Sequence, residues 1–366
     1  MATNKNQHFV PRCYLRPFTK DEAGRAINLF NIDQQLFIRN APVKHQCSGD
    51  YFYGEDLRLE KAIQFVEREY GKVAIELLGH PRDLTDDHLL VLKRFWLLQY
   101  LRTEAASKRA MEMLSGMGEY VALDGAQFRM SIREAVHLAM WTYATSMNIV
   151  DDLKVCIIRN KSRVPFITCD DPAILTNRWH LQDKRASVGS FGLGSAGAMF
   201  LLPISPRLLC MGYDGDVYTV TSSRRFVDVK DTWDVKVLNE HQYLNCRANI
   251  FVRSADDAQS VSECYREVAE RRPRARHIFH YAVLDESSQA IQGYKRYEVV
   301  DPAKAGAHRE AIIHTETVHA RPTAWPRLLR WRINGIVFTN GTGVGFVRRA
   351  HASNKSGFWK EQTRKV

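Results

Sequence analysis

Two short stretches hold most of the residues whose types and spacing could do chemistry. The first is QHFVPRCYLRPF, Gln7 to Phe18, where a histidine and two arginines stand among apolar and aromatic residues. His8 titrates near neutrality and can take or give a proton. Arg12 and Arg16 can grip an anion through planar guanidinium forks. The second is FITCDDPAI, Phe166 to Ile174, an apolar run ending in Asp170, Asp171 and a proline. Proline stops the strand, so the carboxylates project from a sheet end, where ligands and metals are held. A plain Asx turn closing the strand is the other reading of the same residues.

A second set sits on helices. The spacing of Leu59, Ile63, Val66, Tyr70, Val73 and Leu77, in steps of four and three, predicts one amphipathic helix beginning near Glu55. Glu60 and Glu67 each follow a stripe residue, so they flank the buried seam about 10 Å apart along the axis. They either pair with Lys61, Arg68 or Lys72 in solvent or face a polar site. A second helix opens near Thr85 and runs through HLLVLKRFWLLQYLRTEA, apolar almost all round and therefore buried. Gln99 and Arg102 interrupt it. A buried arginine needs a carboxylate or an anionic ligand, and Glu60 or Glu67 is the nearest by topology.

The elements that must position these groups follow a simple order. INLFNIDQQLFIRN, Ile27 to Asn40, reads as two strands around a turn at Asp33 and Gln34. The two helices above come next, then a third from about Gln127 to Met147. LKVCIIRN, VPFITC, GAMFLLPI, RLLCMGY and DVYTVT then read as short apolar strands, and DTWDVKVLNEHQYLNCRA and SADDAQSVSECYREVAERR return to helical spacing. This order predicts an α+β fold with a mixed or antiparallel sheet and a bundle of long helices, residues 55–150, inserted between the first hairpin and the main sheet.

Charge and cysteines set limits. Residues 321–366 hold ten basic residues against the single acid Glu361, which leaves only +2 of the net +11 for the first 320 residues. A whole-protein electrostatic argument for nucleic-acid binding therefore fails. The tail itself, with Trp325, Trp331 and Trp359 among arginines, reads as a partly ordered extension or as an arm for a phosphate-rich partner. Seven cysteines without a C-x-x-C pair fit reduced thiols and a cytoplasmic protein. No apolar run is long enough to span a membrane, and MATNKNQ lacks the apolar stretch of a signal peptide. GLGSAG, Gly192 to Gly197, matches a dinucleotide fingerprint in letters, but a strand follows it where a helix is needed, so it is expected to be a mobile loop. His8, Cys13, His45 and Cys47 lack the spacing of a zinc knuckle.

Taken in order, QHFVPRCYLRPF, LEKAIQFVE, FWLLQYLRT, FITCDDP, LLPISPRL and LNEHQY resemble a bacterial family catalogued as domain of unknown function 4238. The family pattern reads Q-H-x-V-P-x-x-Y-L-x-x-F at the start and S-D-N-P in the sheet. Cys169 and Asp171 stand here where serine and asparagine are usual, which leaves Asp170 as the acid the resemblance carries over. The resemblance covers about residues 5–290, read as a single domain, with 291–366 as an extension. It brings no reaction with it.

Two functions of different class follow from the residues. The first is a cytoplasmic effector of toxin or phage-defence kind that hydrolyses phosphodiester bonds in nucleic acid or a nucleotide. His8 would act as acid or base. Asp170 and Glu67, with Glu60, would hold a divalent metal such as Mg²⁺ or Mn²⁺. Arg12 or Arg102 would stabilise phosphorane charge, and Gln7, Arg16 and Gln99 would bind the ligand. The second is a non-catalytic sensor that grips an anionic ligand or partner protein with Arg12, Arg16 and Arg102. The geometric expectation common to both is that the N-terminal arm packs on the two long helices, with His8 held close to Glu60, Glu67 or Asp170.

Overall fold

The structure is a computed structural model and describes residues 5–55, 57–79, 83–120, 129–186, 190–285, 297–301, 310–342, 345–353 and 357–363. The chain opens with a short strand, β1 (Asn6–His8), and a single helical turn, α1 (Arg12–Leu15). A hairpin follows, β2 (Ala26–Asn31) and β3 (Leu36–Pro42), then β4 (Ser48–Asp50), which pairs back on β1 with Gln7 opposite Gly49. Next come the helices α2 (Leu57–Leu78), α3 (Asp86–Arg102), α4 (Glu104–Gly118) and α5 (Ile132–Ser146).

The stripe read from the sequence is the buried face of α2: Ile63, Tyr70, Val73 and Leu77 are buried, and Leu59 and Val66 pack against the same core. α3 is buried almost all round, as its composition requires, with Tyr70 stacked on Phe95 at 3.6 Å between ring centroids. Thr85 caps α3 in a capping box with His88. One continuous helix through Thr103 was expected; the structure breaks it there. Thr103 adopts an extended conformation, and its hydroxyl accepts from the Ala106 N–H, so it ends α3 and caps α4 at once. The third expected helix appears as α5, whose Ser131–Glu134 capping box sets its start; Gln127 lies outside the described residues.

The sheet region runs β5 (Lys154–Asn160), β6 (Thr168–Cys169), β7 (Ile174–Thr176), α6 (Arg178–Gln182), β8 (Met199–Ser205), β9 (Leu208–Tyr213), β10 (Tyr218–Thr219), β11 (Phe226–Val229), α7 (Thr232–Asn245), β12 (Asn249–Val252) and α8 (Ala258–Val268). Five strands form one sheet in the order β11-β5-β9-β8-β7, antiparallel except for β11 against β5. A second sheet, β3-β2-β12-β6, joins the N-terminal hairpin to strands more than 100 residues later, so the helices are indeed inserted between hairpin and main sheet. β8 and β9 are buried at every residue, which explains their continuous apolar runs in place of alternation. The fold is α+β.

Beyond α8 lie β13 (His277–Leu284), β14 (Tyr297–Val299) and β15 (Ala311–Thr317), which form a three-stranded sheet, then β16 (Arg330–Trp331), β17 (Ile336–Thr339), β18 (Phe346–Val347), α9 (Arg349–Ala352) and β19 (Trp359–Gln362). The described part of the basic segment is built into the body. Trp331 pairs with Tyr218 across β16 and β10, while Leu329, Val337 and Phe346 join the core of the five-stranded sheet. Arg348, only 2% exposed, pairs with Asp152 at 2.8 Å. The same segment pins GLGSAG, expected as a mobile loop: the Arg348 N–H donates to the Gly194 carbonyl and the Ala196 N–H to Phe346. Gly197 there has φ +73° and touches Asn177 and Trp179, so a side chain would not fit. The expected boundary at 290–291, and Lys355, Arg364 and Lys365, lie outside the described residues.

Candidate functional site

The N-terminal arm owes its position to an inside–outside pattern over one and a half turns. Tyr14, Leu15 and Phe18 are fully buried, while Arg12, Cys13 and Arg16 point outward. Tyr14 packs on Tyr70 of α2 and Phe95 of α3, and its hydroxyl bonds Thr168 at 2.7 Å. Burying these rings contributes roughly 2 kcal/mol each, enough to hold a terminal segment that would otherwise fray.

The polar residues of the motifs complete this docking. Gln7, 1% exposed, accepts from the Tyr53 N–H at 2.6 Å and donates to the Gly54 carbonyl at 3.1 Å and to Glu60 at 3.5 Å. Gln99 donates to the Phe9 carbonyl at 3.2 Å and accepts from Arg102 Nε at 2.7 Å. Arg102, with no exposed surface, donates to Glu67 at 2.7 Å. Burial works against the Arg102 charge, but Tyr53 and Glu67 outweigh it and hold its pKa above the ordinary value. A chain of bonds thus runs from arm backbone through α3 to α2. The carboxylate that a buried Arg102 demanded is Glu67.

His8 is different. It lines a cleft of about 340 Å³ together with Arg12, Lys44, Tyr53, Glu60 and Glu67. Its ring lies beside the Val43 carbonyl, and its Nε2 is buried with no hydrogen-bond partner among the described residues. With Nε2 unpartnered, Nδ1 is the nitrogen able to face that carbonyl, and a proton there would leave a lone pair on Nε2. Burial pushes the His8 pKa below its ordinary value, and Arg12 and Arg102 add to this against the pull of the Val43 carbonyl and Glu67. The direction of this shift favours the neutral imidazole.

The structure brings His8, Arg12, Glu60 and Glu67 into one cleft, with Gln7, Gln99 and Arg102 beneath it. It does not bring Asp170 there as a ligand. Asp170 is buried at the start of the β6–β7 turn, where its carboxylate accepts from the N–H groups of Arg247, Ala248 and Asn249 at 2.7–2.9 Å. The expected metal set of Glu60, Glu67 and Asp170 is not assembled, and among the described residues no three His, Cys, Asp or Glu side chains converge on a common point. The reason is that each carboxylate is committed: Asp170 to backbone, Glu67 to Arg102, and Glu60 to Gln7 and Gln64. Arg16 turns into a neighbouring hollow, its Nε donating to the Glu22 carbonyl. Asp171 is fully buried and binds Thr103, Arg109 and Asn245, so the departure from asparagine is compensated by Arg109.

A family model described as "Protein of unknown function (DUF4238)" matches residues 6–256. The chain belongs to this family. The matched span takes in the arm, helices α1 to α7, both main sheets and the Asp170 turn, while α8, the β13–β15 sheet and the basic segment lie beyond it. No curated protein and no solved structure matches the chain.

Sequence reading missed Tyr53 and Lys44 of the cleft and the Val43 carbonyl beside it. Tyr53, whose hydroxyl donates to the His8 carbonyl at 3.1 Å, was visible only as one aromatic in DYFYGED. Lys44 and the Val43 carbonyl come from the short helical turn after β3, which the β1–β4 pairing carries to the arm. Backbone acceptors leave no signal in sequence. No helix among the described residues is long and apolar enough to cross a membrane.

Proposed function

We propose that the chain is an acid–base enzyme acting on a phosphodiester, with His8 as its base, in keeping with an effector of toxin or phage-defence kind. One observation carries this reading: a buried imidazole whose Nε2 has no partner among the described residues, on the wall of a cleft that also holds Arg12 and Lys44. A buried nitrogen left unbonded costs about 1–3 kcal/mol, a cost that packing alone gives no reason to retain. In the step proposed, Nε2 takes a proton from water, the hydroxide attacks phosphorus, and the P–O bond to the leaving group breaks. The imidazolium then returns the proton to the departing oxygen. Arg12 faces the charge that develops on the phosphoryl oxygens, and Lys44 holds the substrate's anionic end. Entry of substrate needs the cover over Nε2 to move.

The test is turnover of bis(4-nitrophenyl) phosphate by the wild type and by His8→Ala. The variant should lose at least about 100-fold in kcat, the usual worth of a positioned base, with its circular dichroism unchanged. Equal turnover by the two proteins removes His8 from the chemistry. A second reading is favoured by the commitment of Glu67 to Arg102, which leaves two cations, Arg12 and Lys44, against Glu60 in the cleft: the cleft then binds an anion without turning it over. Inorganic phosphate or a nucleotide that raises the melting temperature, with no product formed, would support that reading.

A further inference from the structure

The His8 cleft does not stand alone. It shares Arg12 and Cys13 with the hollow that holds Arg16, and that hollow shares Glu22 and Leu78 with a third, lined by Arg159 and Lys161. The third shares Pro206, Arg207 and Arg253 with a fourth, the largest at about 740 Å³, into which Lys20, Arg39 and Arg163 project. The hollows are contiguous, so they make one winding track from the cleft, past α2 and the β8–β9 turn, to the edge strand β3.

Its charge is unlike that of the rest of the body. Ten basic side chains line the four hollows against five acids, a local excess of +5, whereas the first 320 residues together carry +2. Two of the five acids are in ion pairs: Glu22 with Arg253 at 2.6 Å and Glu67 with Arg102. Arg12, Lys20, Arg39, Lys161 and Arg163 are exposed and make no ion pair among the described residues. A row of them left unpaired along a continuous groove focuses a positive potential that favours one extended polyanion.

We propose that this track binds single-stranded nucleic acid and leads its backbone to the His8 cleft, a claim that rests on the phosphodiesterase reading for its last step. Each hollow is concave and of the size that holds a nucleotide-sized ligand; a duplex would rest on the rims and leave the inner cations unmet. The track lacks exposed aromatic stacking platforms among the described residues that line it, so recognition is through phosphates and tolerates any sequence. The basic C-terminal segment is not part of it.

The experiment is fluorescence anisotropy of a labelled oligothymidylate of about 20 nucleotides against the full chain over a salt series. Arg39→Gln/Arg163→Gln, far along the track from His8, should weaken binding about tenfold at low salt. It should also reduce the slope of log K against log salt by about 1.4, the value for two lost single-strand phosphate contacts. Arg330→Gln/Lys360→Gln, which removes equal charge from the C-terminal segment, should leave the slope unchanged. Failure of the wild type to bind saturably, a track variant that binds as well as the wild type, or displacement of the strand by polyglutamate as readily as by nucleic acid would each overturn the proposal. His8→Ala separates the two claims. If the strand binds along the track and is never cleaved, the phosphodiesterase reading fails and this one stands. If the small diester is hydrolysed while strand affinity ignores the track charges, the reverse holds.

Discussion

Deleting the Glu67 carboxylate should be among the most damaging single changes near the arm, and the size of the effect follows from the geometry. Arg102 has no exposed side-chain surface and Glu67 has 21%, and they meet at 2.7 Å. With about 4 Å between charge centres and an effective dielectric constant near 20, the attraction is about 4 kcal/mol. In Glu67→Ala the guanidinium stays charged, because its pKa lies far above any folding condition, so it stays buried and unpaired. Breaking one side of a buried pair costs about 3–5 kcal/mol, and the partial exposure of Glu67 places this case near 3. Replacing both members, Glu67→Leu with Arg102→Met, removes the unpaired charge and should recover most of the loss. The assay is urea denaturation of the two single variants and the double variant as a thermodynamic cycle. A Glu67→Ala cost below about 1 kcal/mol, the figure for an exposed pair, would show that Arg102 is solvated and refute the docking scheme.

Other outcomes follow from the same contacts. Gln99→Leu removes the donor to the Phe9 carbonyl and the acceptor for Arg102 Nε, so trypsin should cut after Arg12 faster than in the wild type; an unchanged rate would mean the arm is held by its aromatics alone. Asp170→Ala strands three backbone N–H groups and should cost at least about 3 kcal/mol; a near-neutral result would contradict its role as a turn anchor. His180, His241 and His319 have pKa values pushed down to about 4, chiefly by burial, so the unfolded chain takes up their protons first as pH falls. Asp170 and Asp214, pushed up to about 6 by burial, oppose this, since the folded chain then holds protons the unfolded one lacks. Three groups against two leave a net loss, and the urea midpoint should fall between about pH 7 and about pH 5; a rising midpoint would refute the assignment.

The parts of this structure legible in the sequence are those governed by period and by cost. The Leu59–Leu77 stripe defined the buried face of α2, and the cost of burying Arg102 in an apolar helix pointed to a carboxylate on α2, which is Glu67. The break at Thr103 was not legible, because LRTEA suits a helix interior as well as a cap, and the choice is made by the tertiary bond from Thr103 to Asp171. Asp170 looked like a ligand because a strand ending in acids is ambiguous until its opposite edge is known. That edge, Arg247 to Asn249, lies more than 70 residues away and offers only backbone N–H groups. The same applies to His8, whose ring lies beside the Val43 carbonyl. The basic segment misled by composition: Trp325, Trp331 and Phe346 pack on the five-stranded sheet, while the exposed arginines that suggested a loose arm surround them.

The central claim is that His8 is held neutral, with its proton on Nδ1 and a lone pair on Nε2 at the cleft. Nitrogen-15 NMR of the histidine rings, with His8 assigned by comparison with His8→Ala, reads both points without a substrate. The account predicts an Nδ1-protonated ring at neutral pH that titrates below its ordinary value of about 6.5. A ring protonated on Nε2, or one still charged at pH 7, would contradict it.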